Sequence, residues 1–472
     1  MTRAEAGAIY DQGREATIVA LVALAARAEA AEARLRQTSQ TSSRPPSSDP
    51  PSARPLRPTR PPSGRPAGGQ PGHPGQHRPL VPVDQVEVVV PLKPARCAQC
   101  GAPLRGDDPT PLRHQVTEVP KVTPHVTEYQ VHTLACRCGG TTRAPLPPGV
   151  PAGAFGPRLQ ATVAVCTGVY RLSRRTTVGL LQDLFGVELA LGSVTACEQA
   201  TSQALAAPVA EAQAYVQQQA VIHVDETGWR EARRRAWLWV AVTAAVTVFL
   251  VHARRGAGAA QVLLGAFAGI LVTDRWGAYT RWPVRRRQLC WAHLRRHFLA
   301  FSECSGQAGR IGQALLAETR QLFAWWHRVR DGTLAHASFR SYMGPVRRRV
   351  EALLRTGTRC RHAPTAATCR EILTLAPALW TFVRVPGVEP TNNAAERALR
   401  PGVLWRKGSF GSHSPAGSRF AERMLTVAAT LKQQQRNVVD YITLACKAAL
   451  RGEPVPTLLP PQASPEMLGH AA

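Results

Sequence analysis

The chain has 472 residues, with 58 lysines and arginines against 31 acids and a formal charge of +27. That length holds roughly two to four domains and at least one large core. A balance this basic points to polyanions, nucleic acid first and an anionic membrane second, although codon bias gives the same sign because arginine dominates the excess. The 11 cysteines are odd in number and only four stand in close pairs, which argues against a disulfide framework and for metal binding in a reducing compartment. The opening "MTRAEAGAIY" shows no basic-then-apolar pattern, so no export is read and a cytoplasmic, nucleoid-associated location is expected.

Residues 5–37, within a first segment 1–38, read as one alanine-rich helix. Ile18, Leu21, Ala25, Ala28 and Leu35 follow a heptad-like seam that Glu32 breaks, so a short coiled coil and an ordinary surface helix both stand. Residues 39–84 are a Pro/Gly/Ser/Arg-rich linker with almost nothing to bury. Residues 85–150 carry Cys97, Cys100, Cys136 and Cys138 among strand-like segments such as "HVTEYQVHTLAC". Two close pairs suit a tetrahedral four-thiolate Zn²⁺ site, hence a small zinc-ribbon-like β module. The second pair has one intervening residue where two are usual, and His132 is an alternative to one of the thiolates.

Residues 151–217 read as helical, with a turn near Gly186 and a helix capped by Ser193. The pair is helix-turn-helix-like, with Arg171, Arg174 and Arg175 placed to meet phosphate, although most helix pairs do not bind DNA. Residues 218–300 switch to α/β. The nearly uncharged run 236–253 has the length of a membrane span, but its valines, threonines and tryptophans favour two buried strands turning between Thr243 and Thr247. Three strands, a helix, a strand, a linking element and a fifth strand is the order of a ribonuclease-H-like mixed sheet. Residues 301–385 read as a helical insertion, 386–455 as the return to the α/β core with two closing helices, and 456–472 as a disordered tail.

Asp225 follows "VIHV" and Asp274 follows "ILVT", so each reads as an acid at the end of a buried strand before a short glycine-containing turn. On neighbouring strands the two carboxylates hold a divalent ion at one sheet edge; phosphoryl-transfer chemistry on two ions needs another carboxylate. That requirement points to Glu396 in "EPTNNAAERALRP". Glu396 also fits a capping box with Asn393 and an ion pair with Arg400, and Pro401 is expected to limit that helix before a basic Gly/Ser loop. Glu226 competes with Asp225 as a ligand, although alternation sends it to the other face. In "CWAHLRRHF", His293 reads either as an active-site residue or as packing at a strand–helix junction.

"HVDETGWR", "VTDRWGAY", "CWAHLRRHF" and "TNNAAERALRP…RKGSFGSHSPAGSRFAE" together resemble the IS-sixty-six family of insertion-sequence transposases, which are DDE-type enzymes. "TSSRPPSSDPP", "GGQPGHPGQHRP" and the paired cysteines upstream fit the same pattern, and the resemblance runs from the first helix to about residue 450. It implies a ribonuclease-H-like catalytic domain with Asp225, Asp274 and Glu396 as the acidic triad holding two Mg²⁺ (or Mn²⁺) ions. It implies binding of terminal inverted repeats and target DNA, homo-oligomerisation on DNA and no membrane partner. Arg397, Arg400, Arg406 and Lys407, with Arg295 and Arg296, are then the expected phosphate contacts. The alternatives are a structure-selective nuclease or resolvase of the same fold, and a transposase-derived DNA-binding protein without catalysis.

Overall fold

The computed structural model describes residues 2–35 and 79–460, so most of the expected linker 39–84 lies outside the described residues. The chain divides into two compact units, Arg54–Thr123 and the remainder, Met1–Ala53 with Pro124–Ala472. The N-terminus forms two helices where one is expected, α1 (Arg3–Tyr10) and α2 (Arg14–Leu35). Thr2 and Glu5 cap α1 reciprocally, and Gly13, at φ +101°, breaks the run where only glycine sits without strain.

Around the first cysteine pair, residues 95–104 fold into a tight turn closed by Leu104 N–H to Ala95 O at 3.0 Å. In the other unit, strand within residues 124–150 is confined to β1 (Thr133–Ala135) paired antiparallel with β2 (Thr141–Arg143). The expected strand through 125–132 does not form; its side chains are almost all exposed, and without a partner or a buried face alternation alone does not hold a strand.

Four helices follow: α3 (Pro157–Gly168), α4 (Arg174–Phe185), α5 (Leu191–Ala204) and α6 (Ala206–Gln217). Gly186 ends α4 in the left-handed conformation, its N–H and that of Val187 returning to Gln182 O and Leu181 O. Ser193 is not the cap of α5; Ala190 holds that position and Ser193 lies in the first turn. Burial of Leu189 and Val194 against Leu181 and Cys197 sets where the helix begins, overriding the cap preference.

The main sheet is built from β3 (Val221–Glu231), β4 (Arg234–Val242) and β5 (Thr247–His252), then helix α7 (Ala257–Leu264), β6 (Ile270–Thr273) and β7 (Arg287–Leu289). The strand order is β5-β4-β3-β6-β7. β4 runs antiparallel to its neighbours β3 and β5; β6 and β7 run parallel to β3. The 236–253 run is therefore two sheet strands, and no described helix is long and apolar enough to cross a membrane. β3 does not end at Asp225 as expected. It runs on to Glu231 because β4 pairs with it from His223 to that end, while its parallel pairing to β6 stops at His223. Asp225 thus sits mid-strand, just past the point where the parallel neighbour ends.

The insertion comprises α8 (Trp291–Ser302), α9 (Gly306–Arg330), α10 (His336–Gly357), α11 (Ala363–Thr374), α12 (Ala376–Leu379) and α13 (Thr381–Arg384). It builds its own core on Val272 and Leu289 of the sheet, with Trp291, Phe298, Phe339, Trp380 and Phe382 at its centre. The chain then returns in α14 (Asn393–Ser409), α15 (Pro415–Gln433) and α16 (Val438–Arg451). α14 runs through Pro401 to Ser409, so the expected stop and Gly/Ser loop do not occur there. Proline removes one backbone bond, but Ala395 and Leu399 on one side of it, and Gly402 on the other, pack against β4 and hold the helix across the gap.

α15 closes the exposed edge of β5. Its Thr430, Thr426 and Glu422 accept from the N–H groups of Thr247 (3.1 Å), Phe249 (3.0 Å) and Val251 (2.5 Å). Four helical residues rise about 6 Å and two strand residues about 6.8 Å, so alternate strand N–H groups meet one helix face. An edge that would otherwise recruit another strand is covered. The first residues of the expected tail 456–472 are packed instead, Leu458 fully buried and Pro456 O accepting from Tyr441 at 2.7 Å, and residues 461–472 lie outside the described residues.

Gly312 of α9 faces the α8 backbone so closely that a Cβ there would overlap Ser302 N and the Phe301 carbonyl carbon. Gly312→Ala is therefore expected to destabilise by about 1–3 kcal/mol, since backbone cannot yield as a side-chain tip does. Thermal or denaturant unfolding checks it; an unchanged midpoint contradicts this packing.

Candidate active site

Three carboxylates from elements far apart in sequence lie beside the parallel part of the sheet, Asp274 and Glu396 each within electrostatic reach of Asp225. Asp225 projects from β3, Asp274 follows the last residue of β6, and Glu396 lies in the first turn of α14. Burial pushes the Asp225 carboxyl well above the usual carboxylate range; Glu226 adds to this, and Asp274 and Glu396 push the same way. Against them stands one backbone bond, Glu226 N–H to Asp225 Oδ1 at 2.9 Å. Asp274 is held by its own turn, accepting the Trp276 N–H at 2.9 Å.

Glu226 is committed elsewhere. Alternation sends its side chain to the opposite face, where it accepts from Arg255 Nε (2.8 Å) and Tyr279 Oη (2.6 Å). It is thus a structural anchor, which removes the competition with Asp225.

The pose of Glu396 depends on Asn392. This residue, not Asn393, occupies the N-cap of α14, and its side chain makes no capping bond. It is fully buried, donating Nδ2 to Val224 O at 2.7 Å while its backbone N–H meets Cys290 Sγ at 3.1 Å. One side chain therefore ties the start of α14 to β3 next to Asp225. Trp291 N–H, bonded to Pro390 O at 2.9 Å, fixes the same loop to α8. The expected capping box does not form, and Glu396 faces His293 rather than Arg400.

His293 Nδ1 stands 3.5 Å from Glu396 Oε1. Both atoms are buried and neither has a hydrogen-bond partner. Burial lowers the His293 pKa although Glu396 and Asp274 pull it up, so the ring is neutral near pH 7 and has a lone pair to offer. Ligand atoms of Cys290, His293 and Glu396 all lie within 4.8 Å of one another. The Cys290 thiol is buried and pushed up to about 11, which leaves it protonated and a poor ligand as it stands. Glu396 Oε1 and His293 Nδ1, both without a hydrogen-bond partner among the described residues and close to two more carboxylates, form a mixed oxygen and nitrogen donor set that fits a divalent cation.

The basic residues are less uniform than expected. Arg397, Arg400, Lys407 and Arg295 are exposed and Arg296 is half-buried. Arg406 is turned inward, donating to Gly228 O and to Thr227 Oγ1, so it pins α14 to β3. Arg287 is a buried cation that sequence reading passes over. Its strand position looks ordinary, yet the guanidinium lies within electrostatic reach of Asp274. Asn392 is equally inconspicuous, because "TNN" before a helix reads as punctuation.

The cysteine pairs divide between the two units, Cys97 and Cys100 in one and Cys136 and Cys138 in the other. Within each, backbone N–H groups turn toward a thiol: those of Cys100 and Gln99 lower the pKa of Cys97, and that of Gly140 lowers Cys138. All eleven cysteines are free thiols.

Residues 152–420, more than half of the chain, match the family described as "Transposase IS66 family". The chain belongs to the IS66 transposase family. All three acids and the helical insertion fall within the matched span. Residues 3–79 match a family of unknown function (DUF6444). A relative in Sinorhizobium fredii, "Uncharacterized protein y4qI", is 26% identical over 264 residues, which is 50% of this chain and 48% of that protein. The chain thus spans about half the length of the curated relative it matches.

Asp225 places a charge against its neighbours without a resident counter-charge. Asp225→Asn keeps the oxygen that accepts the Glu226 N–H and removes the repulsion. In EDTA the variant is expected to melt a few degrees above wild type, the sign of a site that trades stability for function. A lower melting temperature would show that the carboxylate is a structural support.

Proposed function

We propose that this IS66-family protein is a transposase that cuts and rejoins DNA strands at the Asp225–Asp274–Glu396 cluster, a DDE triad holding two Mg²⁺ or Mn²⁺ ions. The observation that carries this is the convergence of three carboxylates, with the orphaned Glu396–His293 pair, in a strongly basic chain. The strand order, three antiparallel strands followed by two parallel ones with the acids on β3, after β6 and on a late helix, supports a ribonuclease-H-like core.

In this reading Asp225, Asp274 and Glu396 would hold the ions, with His293 beside them as a neutral nitrogen donor. When bound, such ions make water or a 3′-hydroxyl nucleophilic near pH 7 and neutralise the scissile phosphate. The chain's own residues do the positioning. Asn392 keeps the Glu396 helix in register with β3. Arg397 and Arg400, exposed just beyond Glu396, meet the flanking phosphates. Joining two element ends requires two such sites, which favours a homo-oligomer on DNA.

Glu396→Gln retains the helix and removes the third carboxylate. Incubated with DNA carrying the element's terminal repeats and Mg²⁺, it is expected to lose nicking and joining by at least about 1000-fold while retaining DNA binding; two-metal sites tolerate such a loss poorly. A variant that still cuts ends would overturn the triad. Wild-type protein that nicks but never joins would leave the nuclease reading in its place.

The knuckle-like turn at each cysteine pair, Cys97–Cys100 and Cys136–Cys138 taken separately, supports thiolate binding of structural zinc. Purified protein is expected to carry zinc by elemental analysis, and Cys97→Ser with Cys100→Ser to lose it. Zinc-free wild-type protein with unchanged stability would refute this assignment.

A further inference from the structure

A second feature lies at the far end of α14 from the acids. A groove of about 1100 Å³ opens between α4 and α5 on one wall and the end of α14, the 411–414 loop and the start of α15 on the other. Its interior is apolar at Leu191, Leu404, Trp405 and Phe420. Arg171, Arg175, Arg419 and Arg423, with His413, line it as well. The acid that shares it, Glu198, is already bound by Arg174 at 2.6 Å.

An exposed stripe leads to this groove from the acid cluster. On α14, Arg397, Arg400, Leu404 and Lys407 recur at spacings of three, four and three, which is one helix face, and all four are exposed. The distance from Glu396 to Gly408, which lines the groove, is roughly 18 Å at 1.5 Å per residue. Between the groove residues Ser409 and Gly411 stands Phe410, 78% exposed and held at φ 60°. A large aromatic kept in water by a left-handed backbone needs a reason that packing does not supply.

We infer that this groove takes a few unpaired nucleotides of one DNA strand, continuous along α14 with the phosphate at the acid cluster. The volume is near the upper end of small-ligand pockets (about 300–1000 Å³), room for a few nucleotides and too little for a paired helix. Apolar and aromatic surface beside arginines is the composition that accepts bases by stacking and backbone by charge. The inference rests on the DNA-cleaving reading for what lies at the other end of the stripe, but binding in the groove needs neither metal nor chemistry.

The test uses the full chain in EDTA, with fluorescence anisotropy of labelled oligothymidine and of a duplex of equal length. Arg171→Ala with Arg175→Ala removes two cations that hold no wall together. This variant is expected to bind oligothymidine about tenfold more weakly, with the log–log salt slope smaller by about 1.4, and the duplex within about twofold of wild type. Phe410→Ala is expected to weaken oligothymidine binding about fivefold or more through lost stacking. Binding is read in EDTA without cleavage, so failure of the catalytic assignment leaves this result standing. Unchanged oligothymidine binding in both groove variants would overturn the inference, as would an equal loss on the duplex.

Discussion

Three carboxylates held within reach of one another, half out of water, repel. Nothing local to Asp225 relieves this beyond a single backbone N–H. The surrounding fold has to impose the arrangement, and its main features can be understood as doing so. β3 is long and paired with β4 from His223 to Glu231, so Asp225 cannot retreat. Asn392 is buried at the junction of α14 and β3, where its one amide bond sets how near Glu396 comes. α15 seals β5, so the sheet beneath is closed at that edge.

The same constraint explains why polar groups in the site lack partners. His293 and Glu396 face each other with acceptor atoms that nothing in the chain satisfies. Elsewhere the protein pairs its buried acids: Glu226 with Arg255 and Tyr279, Glu422 with Arg419 and the Val251 N–H. The contrast within one molecule separates carboxylates paired within the fold from Glu396, whose Oε1 has no hydrogen-bond partner among the described residues. α14 joins the two functional regions, with an acid in its first turn, a pinned arginine on its inner side and cations along its outer face.

Much of this was legible in order and type. The hairpin within 236–253, the strand before Asp274, the junction at His293 and the closing helices follow from alternation and β-branching, which report burial on one face or two. The acids were legible because apolar runs ending in aspartate are conspicuous. Cap positions were not. Ser193 and Asn393 have the right chemistry, but buried contacts of Leu189 and Val194, and of Asn392, moved each helix start. Pro401 was overruled in the same way, by packing of Ala395 and Leu399.

The sequence by itself determined the period of most elements and the basic excess, and it singled out three acids as candidates, because these are properties of single segments. Tertiary structure decided the rest. It placed Asp225 mid-strand, since strand length is set by the partner that pairs with it. It turned Arg406 inward and left Arg397 and Arg400 outside, since helix phase relative to a sheet is fixed only by packing. It gave Glu396 a histidine for a neighbour and α14 a groove at its far end, because both depend on elements joined by the fold alone.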